Sequence, residues 1–158
     1  MNEPKKLIDT PSQTAGPFLH IGCAPRITGI NIFKIELGLT PFQDISDNEA
    51  INIKGKIYDG NGEPIIDAMI ETWQCDANGK YSSNQGFARI VTDFKTGEYQ
   101  LKTIRPGNKI NTDESLSASY ITFWIVARGM NRPLITRMYF LENDLKNDLM
   151  LNSIKIEN

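Results

Sequence analysis

Between residues 51 and 104, apolar and polar positions alternate in short runs cut by turn formers. In INIKGKIYD, Ile51, Ile53 and Ile57 share one parity, with Asn52, Lys54 and Lys56 between them. That period of two is the signature of a half-buried strand. Asp59-Gly60-Asn61-Gly62 supplies turn residues and Glu63-Pro64 ends the turn. The pattern predicts a second strand over residues 65–73, with Ile66, Ala68, Ile70 and Thr72 on one parity. After a turn at Asp76-Ala77-Asn78-Gly79, strands are predicted over 88–93 and 99–104, joined through Lys95-Thr96-Gly97. Two strand pairs with tight turns make the body of an antiparallel β-domain.

The flanks are patterned differently. Pro4, Pro11, Pro17 and Pro25 forbid a continuous helix, so residues 1–25 read as an extended arm and 26–158 as a single β-sandwich domain. Ile30, Ile32 and Ile35 hint at a short strand, and 40–48 reads as a loop. Residues 108–119 are polar without a period and read as another loop. YITFWIVA, residues 120–127, is a nearly continuous run of strand formers and predicts a strand buried on both faces. Residues 128–133 turn the chain and 134–140 return as a strand. Leu141, Leu145 and Leu149 lie at helical spacing and predict a short helix. The fold class is all-β, an antiparallel β-sandwich.

Composition narrows the function. Of 158 residues, 40% are hydrophobic and 23% charged, ordinary for a globular chain with one core. A net charge of −2 offers no basic patch for nucleic acid. No apolar run approaches a membrane span, and MNEPKKLIDT lacks the apolar stretch of a secretory leader. The expectation is a cytoplasmic protein whose two cysteines, Cys23 and Cys75, are free thiols. With His20 the only histidine, no metal site that needs two imidazoles can be built from this chain alone.

Three stretches stand above background: TPSQTAGPFLHIG, WQCDANGKY, and WIVARG followed by TRMYF. Each has a bland explanation. The first is a flexible terminus. The second is a strand end with its turn. The third is a pair of core strands whose arginines sit at strand ends in water. Against the first, disordered ends seldom carry such a mix of proline, glycine and apolar residues.

Together the stretches resemble the intradiol ring-cleavage dioxygenases, in which TPSQTAGPFLHIG, DGNGEPIIDAMIETWQCDANGKY, TDFKTGEYQLKTIRPG and WIVARGMN…TRMYF occur in the same order. The resemblance runs from about residue 10 to residue 152 and implies the sandwich of that family. It also implies a reaction. A catechol chelates non-haem Fe(III) and is opened by O₂ between its hydroxyl-bearing carbons, giving here a carboxylated muconate. Two tyrosinates and two histidines hold the iron, ligands that suit a ferric ion.

Within the family the chain resembles the α subunit of the two-subunit members, in which a partner β subunit supplies the iron ligands. Tyr81 stands at the first tyrosine position, but Lys109 stands at the second. Tyr120 and Thr122 stand where the histidines belong, and Ser117 where an arginine is expected. The resemblance implies that Thr14, Gly16, Pro17 and Arg128 line a substrate pocket whose Fe(III) lies on β, with an aromatic carboxylate and O₂ as reactants. The isolated chain is expected to be inactive, without catalytic or metal-binding residues of its own. Gly16-Pro17 gives a rigid bend with little side chain, so a flat ring can approach. Thr14 offers a hydroxyl, and Arg128 a permanent cation to balance a carboxylate. Asp76 and Gly79 read as turn residues. The family's terminal strands have no counterpart before Asn158, which would leave a sheet edge for a partner to cover. Other readings stand beside this expectation: a non-catalytic binding or scaffold sandwich, a degenerate remnant of the family, and a stand-alone iron enzyme using Tyr81, Tyr120 and His20.

Overall fold

The computed structural model describes residues 8, 10, 11, 13–16, 18–34, 38–46, 48–110, 116–140, 145 and 148–154. Its strands are β1 (Ala50–Lys56), β2 (Met69–Trp73), β3 (Phe87–Val91), β4 (Glu98–Ile104), β5 (Lys109–Ile110), β6 (Leu116–Ser117), β7 (Tyr120–Val126) and β8 (Leu134–Tyr139). Two one-turn helices, α1 (Leu19–Cys23) and α2 (Leu149–Ser153), flank them, and a 3₁₀ turn covers Pro25–Thr28.

Alternation decides which residues meet. In β2, β3 and β7 every second side chain, with the residues just past the strand ends, points one way. Ala68, Ile70, Ala88, Ile90, Ile121, Phe123, Ile125 and Ala127 thereby form one buried surface. The sheet is antiparallel in the order β3-β2-β7-β8. Opposite it, β1 and β4 pair from Ala50↔Ile104 to Lys56↔Glu98 and contribute Leu101, Ile53 and Tyr99 to the same core. The Tyr99 ring meets Phe123 edge-on at 6.2 Å. Each large core side chain contributes about 1.5–3 kcal/mol through burial.

One polar residue bolts the layers together. Gln74 is buried. Its amide nitrogen donates to the Ile104 carbonyl at 2.9 Å, and its oxygen accepts from Thr103 Oγ1 at 2.7 Å. Both partners belong to β4, so Gln74 ties the end of β2 to the opposite sheet. Gly86 (φ +91°) crosses directly above, where an added Cβ would lie 2.2 Å from the Gln74 carbonyl oxygen.

The turns follow the aspartates. Asp59 accepts from the Asn61 and Glu63 amides, Asp76 from Asn78 and Lys80, and Asp93 from Lys95 and Thr96, all within 2.9 Å. A short carboxylate bonding to amides just downstream mimics a backbone turn. Asp76 and Gly79 are turn residues, as the sequence predicts.

Several expectations are corrected. Tight turns predicted local strand pairs, yet β1 ladders with β4, and only the single bridge Tyr58↔Pro64 links the turn after β1 to the next segment. The Asp93–Gly97 turn carries the chain from one sheet to the other, so its flanking strands are not partners. β7 is buried on one face and only half-buried on the other, because Tyr120, Thr122 and Trp124 look outward. The region 108–119 contains the short β5–β6 pair, and no strand forms at Ile30 and Ile32. The arm is not extended throughout: α1 closes between Pro17 and Pro25. Arg137 sits inside β8 rather than at its end. The helix predicted around Leu141 and Leu145 falls mostly outside the described residues, and α2 starts at Leu149. Cys23 and Cys75 are free thiols.

Candidate functional site

The sequence-predicted residues gather at the two ends of β7. At its C-terminal end the chain leaves the core at Ala127 and turns through Arg128, Gly129 and Met130. The arm is stitched onto this turn. The Gly129 amide donates to Thr14 Oγ1 at 2.8 Å, and the Ala15 amide donates to the Met130 carbonyl at 3.3 Å. Gly16 follows with open space where a side chain would project. Thr14, Gly16 and Arg128 therefore share one corner, while Pro17 lies outside the described residues.

Arg128 is not loose. Its Nε donates to Asp67 Oδ2 in a short ion pair. The arginine side chain is 60% exposed and the aspartate 15%, so the anion is held in the wall and the cation looks outward. The same end holds His20 from α1, which is buried and packs edge-on against Phe94 at 5.4 Å. Its Nε2 has no hydrogen-bond partner among the described residues. Burial pulls its pKa below the ordinary imidazole value, and the Asp67 charge opposes that pull. Further along the arm, Arg89 donates to Glu71 at 2.8 Å and to the Cys23 carbonyl at 3.2 Å, pinning α1 to the sheet.

At the other end of β7 stand Tyr81 and Tyr120, which the resemblance places at positions of the family's metal ligands. Tyr81 and Tyr120 bring their hydroxyls to 3.4 Å. The Trp73 ring stacks on Tyr81 at 6.2 Å. Arg137, the register partner of Thr122, lays its guanidinium 4.2 Å from the Tyr120 ring centre and donates to Tyr139 Oη at 3.3 Å. Burial, reinforced by the bond to Tyr120, pushes the Tyr81 phenol well above its ordinary range. Lys109 and Ser117 are register partners in the β5–β6 pair.

This donor set does not fit a ferric ion. The two hydroxyls are engaged with each other and a guanidinium lies over the Tyr120 ring, an arrangement that leaves no open set of anionic donors for the ion. Among the described residues no group of three or more His, Cys, Asp or Glu could hold a metal. His20 does not complete a site either. Antiparallel pairing puts Asp67, Phe94 and Arg128 at one end of the sheet and Tyr81 and Tyr120 at the other. The grouping of Tyr81, Tyr120 and His20 that a stand-alone iron enzyme requires is thereby overturned.

The two ends cannot share a ligand. The six steps from Tyr120 to Val126 span about 20 Å of strand, and Arg128 lies beyond. The Arg128 corner is open to solvent, with Thr14 and Arg128 exposed. A cleft of about 190 Å³ between the arm and β3, lined by Cys23, Arg26, Ile27, Phe33 and Arg89, does not include Thr14, Gly16 or Arg128.

Two residues of these clusters escaped the sequence. Asp67 sits in the apolar run PIIDAMIE, where its polarity was the available signal. Arg137 was visible in TRMYF, but only the register reveals that it faces Tyr120.

A family model described as Dioxygenase matches residues 37–157. The protocatechuate 3,4-dioxygenase alpha chain of Pseudomonas putida is 38% identical over 141 residues, covering 85% of this chain and 70% of the relative. The protocatechuate 3,4-dioxygenase beta chain of Burkholderia cepacia is 28% identical over 106 residues, covering 58% of this chain and 45% of that one. The solved catechol 1,2-dioxygenase of Pseudomonas arvilla C-1 shares the fold with a TM-score of 0.59 at 21% identity, over 66% of this chain and 40% of that one. By the family model and by its similarity to an alpha chain along most of its length, the chain belongs to the intradiol dioxygenase family, on the alpha-subunit side.

Proposed function

We propose that this chain is the α subunit of a protocatechuate 3,4-dioxygenase, with residues 1–25 as an arm and 26–158 as one sandwich domain, working in the cytoplasm. On this reading a β subunit holds the Fe(III). The α chain adds one wall of the pocket in which a catechol carboxylate is cleaved by O₂ between its hydroxyl-bearing carbons, giving 3-carboxy-cis,cis-muconate. Thr14, Gly16, Pro17 and Arg128 are the α-side substrate residues, and the chain alone is inactive.

One observation carries the reading: the arginine corner and the family's metal positions stand at opposite ends of β7, about 20 Å of strand apart. If Arg128 meets a ring bound to iron, that iron belongs to another chain. The openness of the corner supports a second wall supplied from outside. Phe18 leaves 76% of its surface in solvent beside the arm, a large apolar face for a partner to cover. Within the corner the chain's contribution is steric and electrostatic. Gly16 admits a flat ring, and Arg128 offers charge-assisted hydrogen bonds to an anionic substituent.

Co-expression with a β chain tests this. Co-elution with about one iron per αβ pair and O₂ uptake on protocatechuate is the expected result. Elution of this chain alone, without metal or activity, would overturn the subunit assignment.

A further inference from the structure

We propose that Asp67 is a positioning residue for substrate recognition: it grips Arg128 through Nε and leaves the two terminal nitrogens to receive the carboxylate of an aromatic substrate. This rests on the pocket assignment above and adds a residue to it.

Both ends of the Asp67–Arg128 pair grow from fixed backbone. Asp67 directly precedes Ala68, which is fully buried. The Ala68 amide donates to Thr92 Oγ1 at 3.0 Å, and the Thr92 amide donates to the Ala68 carbonyl at 3.0 Å. Arg128 directly follows Ala127, which is 2% exposed. The next two residues, Gly129 and Met130, are tied to the arm through Thr14 and Ala15. The two side chains come from points 61 residues apart in sequence, and hydrogen bonds of the neighbouring residues tie down each root.

A guanidinium has five N–H donors in a fixed plane. The ion pair uses Nε. Neither terminal nitrogen has a hydrogen bond to another described residue, and the side chain is 60% exposed. An unrestrained arginine gives up rotamer freedom when it binds an anion. Here Asp67 has already removed much of that freedom, so the remaining donors form an aimed fork. Asp67 also moderates the cation when the corner is empty. His20, from α1, lies near enough for the Asp67 charge to oppose the lowering of its pKa by burial, and no hydrogen bond joins the two among the described residues.

Four variants in the αβ complex test this: Arg128→Ala, Asp67→Asn, Asp67→Glu, and Asp67→Asn combined with Arg128→Ala. The readouts are KM and kcat for protocatechuate and for catechol, which lacks the carboxylate. Removing a charge-assisted contact in Arg128→Ala should raise KM for protocatechuate about tenfold or more. Asp67→Asn should raise it by a smaller factor, roughly three- to tenfold, with kcat and the catechol KM unchanged. Asp67→Glu should fall between wild type and Asp67→Asn. The double variant should be no worse than Arg128→Ala, because Asp67 acts only through that arginine. If Asp67→Asn fails to assemble, Asp67→Glu carries the test, and an unchanged KM overturns the role. A silent Asp67→Asn, or one whose effect multiplies fully with Arg128→Ala, overturns the positioning role alone. An Arg128→Ala complex with normal KM overturns the pocket assignment and the role together.

Discussion

Two arginines stand near opposite ends of β7, and their surroundings differ. Arg128 is fixed through Nε by a partly buried aspartate and is 60% exposed. Arg137 lies flat over Tyr120 and spends a terminal nitrogen on Tyr139. In the sequence both look like arginines beside apolar strands. In the fold one is an exposed cation held by an aspartate, and the other is absorbed into an aromatic cluster with Tyr120 and Tyr139. The difference shows that the surroundings of a guanidinium, not its identity, decide which of its donors stay available. The hydroxyls of Tyr81 and Tyr120 bond to each other, and a guanidinium caps one ring.

The largest expected difference between the two ends is kinetic. Arg128→Ala in the αβ complex should lose about tenfold or more in kcat/KM for protocatechuate with iron content unchanged. Arg137→Ala should leave both untouched. Equal kinetic losses would dissolve the distinction between the ends.

The second effect is on stability and runs the other way. Arg137→Ala removes a cation–π contact of about 0.5–2 kcal/mol, so denaturant unfolding of the purified chain should show a loss of that size. Adding Fe(III) to this variant should produce no tyrosinate-to-iron colour, because the chain's single histidine, His20, lies at the other end of the sheet from Tyr81 and Tyr120. A coloured, iron-loaded protein would show that Arg137 alone kept the metal out.

A smaller effect tests how the arm is mounted. Thr14→Val deletes the acceptor for the Gly129 amide, a bond of about 1 kcal/mol. The expected result is a rise of a fewfold in KM for protocatechuate with kcat preserved, read by steady-state O₂ uptake.

The smallest effect concerns pH. His20 is buried with its pKa lowered, burial outweighing the attraction of Asp67, so the folded chain favours the neutral ring. As pH falls through the unfolded value near 6.5, the unfolded chain takes up a proton that the folded chain resists. Stability is therefore highest above that pH and declines below it, levelling off beneath the folded pKa. His20→Phe keeps a ring against Phe94 and should flatten the dependence of Tm on pH just below about 6.5. An unchanged slope would assign the acid sensitivity to other groups.

Much of the fold could be read locally. The parity of Ile51 and Ile53, the run YITFWIVA, and the three turn aspartates each depend on neighbours within a few residues, and the structure places strands and turns there. Strand partners were not legible. A turn as tight as Asp93–Gly97 suggests a hairpin, but Gln74 and the core residues of β4 draw the chain into the facing layer. The resemblance named Thr14, Gly16 and Arg128 as residues of one pocket, yet no spacing shows that a hydroxyl can reach an amide 115 positions away.

The amino-acid sequence by itself determined the all-β class, the turn positions and the family. All of these are written in residue identity and short-range period. Only the tertiary structure decided that β1 pairs with β4, that Asp67 mounts Arg128, and that Arg137 covers Tyr120. These are meetings between distant segments, set by which faces the core buries. Burial depends on the whole chain at once, whereas periodicity and turn chemistry act between neighbours.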